Sequence, residues 1–150
     1  MKVVCTVLRG RGGSNVALLP DKAARGIYGQ IYPWGNGFDA SKANTSEGSK
    51  KDTTPIGSYE AGKSPYGAYD MSGNVWEWCA DWYDQKGYQR RTGQVMKDPV
   101  VPSSGWDRLL RGGSFANHIR VVRVAHRLGS PSGYRDDDRG FRCGLLLPPS

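Results

Sequence analysis

One segment of this chain lacks five residue types altogether. Residues 115–142 contain no Lys, Glu, Gln, Met or Trp, although five Trp and three Met occur earlier in the 150 residues. These five types are the ones that a codon ending in a pyrimidine cannot encode. The absence of these five types therefore indicates a segment whose codons vary at their first two positions. The alternative is an accidental bias of a short window. We call residues 115–142 the variable segment.

The chain also lacks long apolar runs. No stretch approaches the roughly 20 apolar residues that a membrane-spanning helix needs. The apolar start at residues 3–8 is ended by Arg9, too early for a typical signal peptide. The sequence therefore predicts no membrane insertion and no signal peptide. It leaves the location unknown, and display on a virion or cell surface stays compatible with it.

Cysteine is scarce, with residues 5, 79 and 143 as its only positions. No C-x-x-C pair occurs, so neither a zinc site nor a redox dithiol is indicated. We expect Cys79 and Cys143 to be buried thiols that act as small hydrophobic residues. The redox compartment stays open.

The net charge of +7 has no recognisable nucleic-acid-binding pattern. Lys and Arg are scattered along the chain, and no helix-turn-helix, zinc-finger or RNA-binding motif accompanies them. Solvated surface charge is the favoured interpretation, and no nucleic-acid partner is expected.

The length predicts a single domain over residues 1–150, and 21 Gly predict short strands with much ordered loop. Residues Pro20 to Gly26 carry the start and stop signals of a short helix, with Pro at its beginning and Gly just past its end. Residues 75–82 alternate, which predicts a strand with an aromatic core face. Residues 141–147 alternate similarly and predict a final inner strand. The polar, turn-rich residues 41–54 predict a surface loop.

Three separated motifs carry a family resemblance. They are Tyr69–Trp78 (YDMSGNVWEW), Leu109–Phe115 (LLRGGSF) and Gly140–Cys143 (GFRC). Together they resemble the domain of formylglycine-generating enzymes, over most of the chain from about residue 32 to 143. That domain is a variant of the C-type lectin fold, so the resemblance implies an α+β fold of this subtype.

The variable segment is also similar, in length and in its Arg and Gly framework, to the variable region of proteins diversified by retroelements. In those proteins an error-prone reverse transcriptase rewrites adenine positions, and the fold displays the products as a binding surface. The resemblance implies exposed ligand-binding side chains at the following positions: Ala116, Asn117, His118, Ile119, Val121, Val122, Val124, His126, Leu128, Gly129, Ser130, Ser132, Gly133, Tyr134, Asp136, Asp137 and Asp138. We expect a protein or cell-surface ligand and a monomeric domain.

Four arginines stand between these positions. We expect Arg123, Arg127, Arg135 and Arg142 to be buried or hydrogen-bonded, because the planar guanidinium makes several directed bonds at once. The positions between them could then change without unfolding the domain.

The resemblance does not bring enzymatic activity with it. Active formylglycine-generating enzymes carry paired copper-binding cysteines shortly after the Gly-Gly-Ser motif, whereas this chain has Asn117 and Val122 in that neighbourhood. We therefore predict a non-enzyme. A catalytic oxidoreductase or metal enzyme with an unrecognised site, and a degenerate structural domain of a larger assembly, are the alternatives. His118 and His126 are favoured as surface residues rather than as a catalytic set.

One metal site is predicted. Asp70 and Glu77 bracket Gly73 and Val75, and carboxylates with backbone carbonyls are the oxygen ligands that calcium favours. In the enzymes that this chain resembles, the corresponding turn binds calcium. A structural calcium at Asp70, Gly73, Val75 and Glu77 is therefore expected. The alternative is that Glu77 hydrogen-bonds the turn and Asp70 is solvated.

Overall fold

The described part of the chain forms one mixed sheet with one short helix. A computed structural model describes residues 3–5, 20–87, 89 and 104–143. The elements are β1 (Val3–Cys5), α1 (Pro20–Arg25), β2 (Trp76–Trp82), β3 (Asp107–Arg111), β4 (Leu128–Pro131) and β5 (Arg139–Cys143). Two 3-10 helices lie at Ala40–Lys42 and Glu60–Gly62. In the described part of the chain, long loops connect α1 to β2 and β3 to β4, in agreement with the predicted α+β fold with much ordered loop.

Strand β2 lies at the centre of the sheet, whose order is β1-β5-β2-β3-β4. It runs parallel to β5, with Trp76 opposite Arg139 and Trp78 opposite Phe141, and antiparallel to β3. Strand β4 extends the sheet antiparallel to β3, and β1 extends it parallel to β5. This order places the motif before β2 beside the motif at β5. In the part of the chain that is described, no helix is long and apolar enough to cross a bilayer.

The predicted helix is confirmed. It starts at Pro20 and ends at Arg25, and Gly26 follows with a φ of 63°, a value that glycine adopts without strain. Ala23 and Ala24 of the helix are buried in a small core with Val124. Helix α1 is therefore held against the variable segment.

The predicted strand at β2 is confirmed, but its aromatic core face is only partly correct. Trp76 is 3% exposed, whereas Trp78 and Trp82 are half-buried and Ala80 is exposed. The pairing of β2 with β3 shifts register between Trp78 and Trp82, which breaks the alternation. The guanidinium of Arg108 lies 3.6 Å from the Trp82 ring centre and covers that ring at the surface.

The final strand, β5, is also less buried than the predicted inner strand. Cys143 is exposed, so the expectation of a buried thiol is wrong there, and Phe141 is half-buried. The strand ends at Cys143, and residues 145 and 147 lie outside the described residues. Cys79 is half-buried, and burial raises the pKa of its thiol to about 12.

Residues 41–54 are not wholly a surface loop. Asn44, Thr45 and Thr54 are buried, because the amide of Asn74 gives this segment an interior partner. The Asn74 Oδ1 accepts hydrogen bonds from the Thr54 amide at 2.9 Å and from the Asn44 Nδ2 at 3.2 Å. The backbone N–H of Asn74 donates to the Asn44 carbonyl at 2.8 Å. Asn74 therefore pairs with the Thr54 amide and with one end of the Asn44 side chain, whereas the Asn44 Oδ1 and the Thr45 Oγ1 are buried without a hydrogen-bond partner among the described residues.

Replacing Asn74 with Gly should lower the free energy of unfolding by about 2–3 kcal/mol, since the buried Thr54 amide loses its acceptor. Glycine tolerates the φ of 68° at this position, so the loss reports the hydrogen bonds rather than backbone strain. Urea denaturation measures the change. Asn36→Gly is the control, because Asn36 is exposed and, among the described residues, its side chain accepts a hydrogen bond from Ile31 alone. Equal losses in the two variants would contradict this account.

Candidate functional site

The main chain of the variable segment is hydrogen-bonded to loops outside it. The Asn117 carbonyl accepts from the Ser46 amide at 3.1 Å, and the Val124 amide donates to the Ile31 carbonyl at 3.0 Å. These contacts use backbone groups, which nearly every residue type offers. These two backbone contacts do not themselves depend on the side chains at positions 117 and 124.

The sheet holds the same segment from the other side. Arg111 on β3 donates from its Nη1 to the carbonyls of Val124 at 3.2 Å and His126 at 3.0 Å. The Trp76 amide at the start of β2 donates to the Asp138 carbonyl at 2.8 Å. Here again the variable segment contributes only main-chain oxygens.

The side chains predicted to bind a ligand fall into three groups by exposure. Seven are exposed: Ala116, His118, Ser132, Gly133, Tyr134, Asp136 and Asp137. Seven are half-buried: Asn117, Ile119, Val121, His126, Leu128, Gly129 and Asp138. Three are buried: Val122, Val124 and Ser130.

The predicted exposure of the three buried residues is wrong, and each has a packing reason. Val122 fills the space that Gly113 leaves, since a Cβ on Gly113 would lie 2.7 Å from the Val122 Cγ1. Val124 packs against α1 in the small core. The Ser130 hydroxyl accepts a hydrogen bond from Arg139.

A glycine in the segment is also constrained by packing. A Cβ on Gly129 would lie 2.4 Å from the Cδ1 of Tyr83. No side chain fits there unless the aromatic ring moves. Gly129 therefore has a structural role in addition to any contact it makes with a ligand.

The Ser114 hydroxyl joins two stretches of the variable segment. It lies 2.9 Å from the Asn117 Oδ1 and 3.0 Å from the Asp138 Oδ2. The Tyr134 hydroxyl lies 3.2 Å from the Asp136 carboxylate. These contacts bring the residues after β3 next to the residues before β5, and so form one surface from two parts of the segment.

The carboxylates of Asp136, Asp137 and Asp138 also lie together. Their ligand atoms are within 4.8 Å of one another, and among the described residues no histidine joins the group. His118 and His126 therefore do not complete a metal-binding or catalytic cluster with them.

The four framework arginines behave differently from one another. Arg142 is 8% exposed and paired with Glu77, and Arg127 donates to the Asp84 carbonyl at 2.9 Å, as predicted. Arg123 donates to the Arg120 carbonyl at 2.9 Å although it is exposed. Arg135 is exposed and bonds to no other described residue, so its predicted structural role is wrong.

Two further arginines support the segment without a predicted role, Arg111 from β3 and Arg139 from within the segment itself. Arg111 belongs to the Leu109–Phe115 motif and precedes its two glycines. This position in the motif was the sequence feature that could have indicated its role. The Arg139 guanidinium lies 4.3 Å from the Tyr134 ring centre and donates to Ser130. No pattern in the sequence pointed to that stacking.

Three of the predicted calcium ligands, Asp70, Gly73 and Val75, lie in the turn before β2, and Glu77 is the second residue of that strand. The Asp70 Oδ2 is buried and has no hydrogen-bond partner among the described residues, and burial raises the pKa of Asp70. A backbone hydrogen bond from Gly57 and the positive charge of Arg142 oppose this rise in pKa, and the negative charge of Glu77 adds to it. A buried, unpartnered carboxylate oxygen close to a second carboxylate fits a hard cation.

Arg142 occupies one side of this turn. Its Nε lies 3.0 and 2.9 Å from the two carboxylate oxygens of Glu77, and its Nη2 donates to the Tyr69 carbonyl at 2.8 Å. The guanidinium therefore neutralises part of the charge, and Asp70 retains the free oxygen. The residues fit a cation whose best carboxylate ligand is Asp70.

Residues 20–145 match the family described as the Sulfatase-modifying factor enzyme 1-like domain. The chain belongs to this family. Its fold is the C-type lectin fold of the formylglycine-generating-enzyme type, as the three motifs predicted.

Particular relatives show how broadly the family is used. The chain is 43% identical over 112 residues to the serine/threonine-protein kinase pkn1 of Chlamydia caviae, covering 75% of this chain and 17% of that protein. It is 37% identical to the inactive C-alpha-formylglycine-generating enzyme 2 of Mus musculus, covering 81% and 39% respectively. Formylglycine-generating enzymes are also among the relatives. The chain spans less than half the length of each of these proteins.

A solved structure supports the second resemblance. Treponema denticola variable protein 1 superposes with a TM-score of 0.65 at 28% identity, over 81% of this chain and 43% of that one. The predicted similarity to variable proteins is thereby confirmed.

Two adjacent valines test the burial within the segment. Val122→Asn should lower the free energy of unfolding by about 3–5 kcal/mol, since apolar burial is lost and an amide is buried without a partner. Val121→Asn should cost about 1 kcal/mol or less, because Val121 is only half-buried. Chemical denaturation of both variants measures the difference. Equal costs would contradict the packing of Val122 under Gly113.

Proposed function

We propose that this domain is a non-enzymatic ligand-binding protein whose variable segment presents side chains to a protein or cell-surface partner. The observation that supports it best is the anchoring of the segment through its own backbone, by Ser46, Trp76 and Arg111 among others. A segment held in this way can change its exposed side chains and keep its path. Such a separation suits a binding surface that differs between copies of a fold.

The exposed side chains favour a protein partner. Tyr134 is 48% exposed, with its ring beside the Arg139 guanidinium and its hydroxyl beside Asp136. An amphipathic aromatic surrounded by charges is typical of protein interfaces. Asp137 and His118 add polar groups that can form hydrogen bonds at the rim.

The proposal of a non-enzyme rests on the residues after Gly113 and Ser114. Asn117 holds the turn through its side-chain oxygen, and Val122 is part of the core. Neither residue can supply the thiolate that a soft copper ion prefers. The inactive relatives agree with this proposal, although the family also contains enzymes.

Replacing His118, Tyr134, Asp136 and Asp137 together with Asn should abolish partner binding and leave folding nearly intact. Each exposed substitution costs about 0.5 kcal/mol at most. The immobilised parent is used to capture partners from a cell-surface protein extract. The captured protein is then purified, and its affinity for each variant is measured by calorimetry.

A second four-site variant serves as the matched control. Lys50, Lys51, Asp52 and Tyr66 are also exposed and lie outside the variable segment, so their replacement with Asn should preserve binding. Binding that survives the first variant and is lost in the control would place the interface elsewhere. A first variant that unfolds would show that these side chains support the core.

We further propose a structural calcium ion at the turn before β2, with Asp70, Glu77 and the carbonyls of Gly73 and Val75 as ligands. Its support is the Oδ2 of Asp70, which is buried and has no hydrogen-bond partner within the described ranges, together with the negative charge of Glu77 that acts on Asp70. The ion would fix the turn from which β2 starts. It would act on stability and take no part in chemistry.

Calcium at 100 times its Kd should stabilise the fold by about 2.7 kcal/mol through mass action. Asp70→Gly should remove this gain, because it deletes the carboxylate while glycine accepts the φ of 53°. Glu77 is a poorer test since its carboxylate also pairs with Arg142. The measurement is the melting temperature with calcium and with a chelator.

Asp137→Gly is the control, because Asp137 is exposed and outside the turn, and it should keep the full calcium effect. A parent protein that melts at the same temperature in calcium and in chelator would rule the site out.

A further inference from the structure

We propose that Asn36 is a site of spontaneous deamidation and that its conversion to isoaspartate loosens the variable segment. Asn36 is followed by Gly37, and both residues are exposed in the long connection between α1 and β2. The neighbouring residues Ile31 and Tyr32 hold the variable segment by hydrogen bonds. This chemistry belongs to the chain itself and does not depend on the proposed function.

The reaction needs only these two residues and water. The backbone nitrogen of Gly37 attacks the Cγ of Asn36, its proton passes to the departing Nδ2 group, and ammonia leaves. The product is a cyclic imide, a succinimide, that includes the former peptide nitrogen. Water then opens the ring at one of its two carbonyl carbons. One opening gives aspartate, and the other gives isoaspartate, in which the main chain runs through the former side chain.

Gly37 offers the attacking nitrogen little hindrance. Glycine has no Cβ, so its nitrogen can approach the preceding side chain at little steric cost. The surroundings of Gly37 are open as well, because a Cβ built there would meet no atom beyond its chain neighbours within 4 Å. Among the described residues, the Gly37 N–H makes no backbone hydrogen bond that would hold it away from Asn36.

The group under attack is polarised by a neighbouring donor. The Asn36 Oδ1 accepts a hydrogen bond from the Ile31 amide at 3.1 Å. Negative charge develops on this oxygen when the nitrogen adds to the Cγ. An N–H donor already in place at the oxygen stabilises that charge, as in the oxyanion holes of enzymes. The contact between Ile31 and Asn36 therefore promotes the cyclisation.

The other asparagines of the described ranges are protected. Asn44 and Asn74 are 1% and 2% exposed, and a β-branched residue follows each of them. Asn117 is half-buried, and the residue after it also carries a side chain. Asn36 combines exposure with a following glycine, so it should react first.

The loop that contains Asn36 is closed by hydrogen bonds. Tyr32 and Gly35 exchange two backbone hydrogen bonds, at 2.9 and 3.1 Å, and the Asn36 side chain bonds back to Ile31. Conversion to aspartate leaves a carboxylate oxygen for the Ile31 amide. Conversion to isoaspartate adds one carbon to the main chain and takes that oxygen into the new peptide bond. Isoaspartate therefore changes the loop, whereas aspartate preserves it.

This loop reaches the variable segment at two points. The Ile31 carbonyl accepts from the Val124 amide at 3.0 Å, and the Tyr32 hydroxyl donates to the Ile119 carbonyl at 3.2 Å. Both contacts come from residues whose positions depend on the closed loop. The variable segment thus loses two of its anchors when Asn36 becomes isoaspartate.

The first test is the ageing of the purified protein in mildly alkaline buffer at body temperature. Peptide mapping by mass spectrometry follows the loss of ammonia and the gain of water at each asparagine. Asn36 should be converted before the other described asparagines. Gly37→Ala should slow this conversion about tenfold, because the added Cβ hinders the nitrogen.

Gly133→Ala is the matched control, since Gly133 is also exposed and a Cβ there would meet no atom beyond its chain neighbours within 4 Å. It should leave the conversion of Asn36 at the rate of the parent. Equal rates in the parent and in Gly37→Ala, or an intact Asn36 in the aged parent, would overturn the proposed site.

The second test measures the effect on the variable segment. The isoaspartyl form is separated from the aged sample by chromatography, and Asn36→Asp supplies the aspartyl form. Hydrogen exchange of the Val124 amide reports local opening of its bond to Ile31. Compared with the parent, exchange should be about tenfold faster in the isoaspartyl form and nearly unchanged in Asn36→Asp.

Unchanged exchange in the isoaspartyl form would overturn the loosening of the segment. Equally fast exchange in the two converted forms would overturn the role of the longer main chain, because only the isoaspartyl form has it. Neither test uses a binding partner, so failure of the proposed function and failure of this proposal are distinguishable.

Discussion

The buried ion pair between Glu77 on β2 and Arg142 on β5 is the interaction on which the site depends. The two side chains are 9% and 8% exposed, and Arg142 also donates to the carbonyls of Tyr69 and Asp70. One guanidinium therefore joins two parallel strands to the turn that precedes β2. Removing one partner of such a pair leaves an uncompensated buried charge, which typically costs about 3–5 kcal/mol. This contact therefore fixes the position of the turn before β2 and of the loops that are hydrogen-bonded to that turn.

Asn74, near the end of that turn, connects it to two other parts of the chain. Its side chain binds the loop at Asn44 and Thr54, and its carbonyl accepts from the Phe115 amide at 3.0 Å. The variable segment thus begins at a point fixed by the polar interior rather than by the apolar core. This explains how a domain with few buried large side chains holds a long loop in one conformation.

The sequence predicted the elements that local signals define. Pro20 and Gly26 marked α1, the alternation at residues 75–82 marked β2, and the separated motifs indicated the fold. It failed where burial depends on partners distant in the chain. The polar residues Asn44 and Thr54 are buried against Asn74, which accepts hydrogen bonds from both, and no local pattern reveals that.

At the candidate site, too, the predictions that rested on local signals were correct and those that depended on tertiary contacts were not. The exposure of His118, Tyr134 and Asp137 agreed with the prediction, since residues in a loop without period are usually exposed. The burial of Val122 and Val124 arises from contacts with Gly113 and with α1, which are set by the tertiary fold. The grouping of Arg25 with Arg123 and Arg127 around one cleft was not visible either, because Arg25 is about 100 residues from the other two.

The contact between Gly113 and Val122 limits how many sequences this surface can use. If the segment is rewritten codon by codon, position 122 is rewritten as often as its neighbours. Copies that receive a charged or larger residue there are removed by misfolding before any partner can select them. Under the proposed diversification, the repertoire of working proteins would be smaller than the number of codon combinations, and its members would keep a small apolar residue at that position.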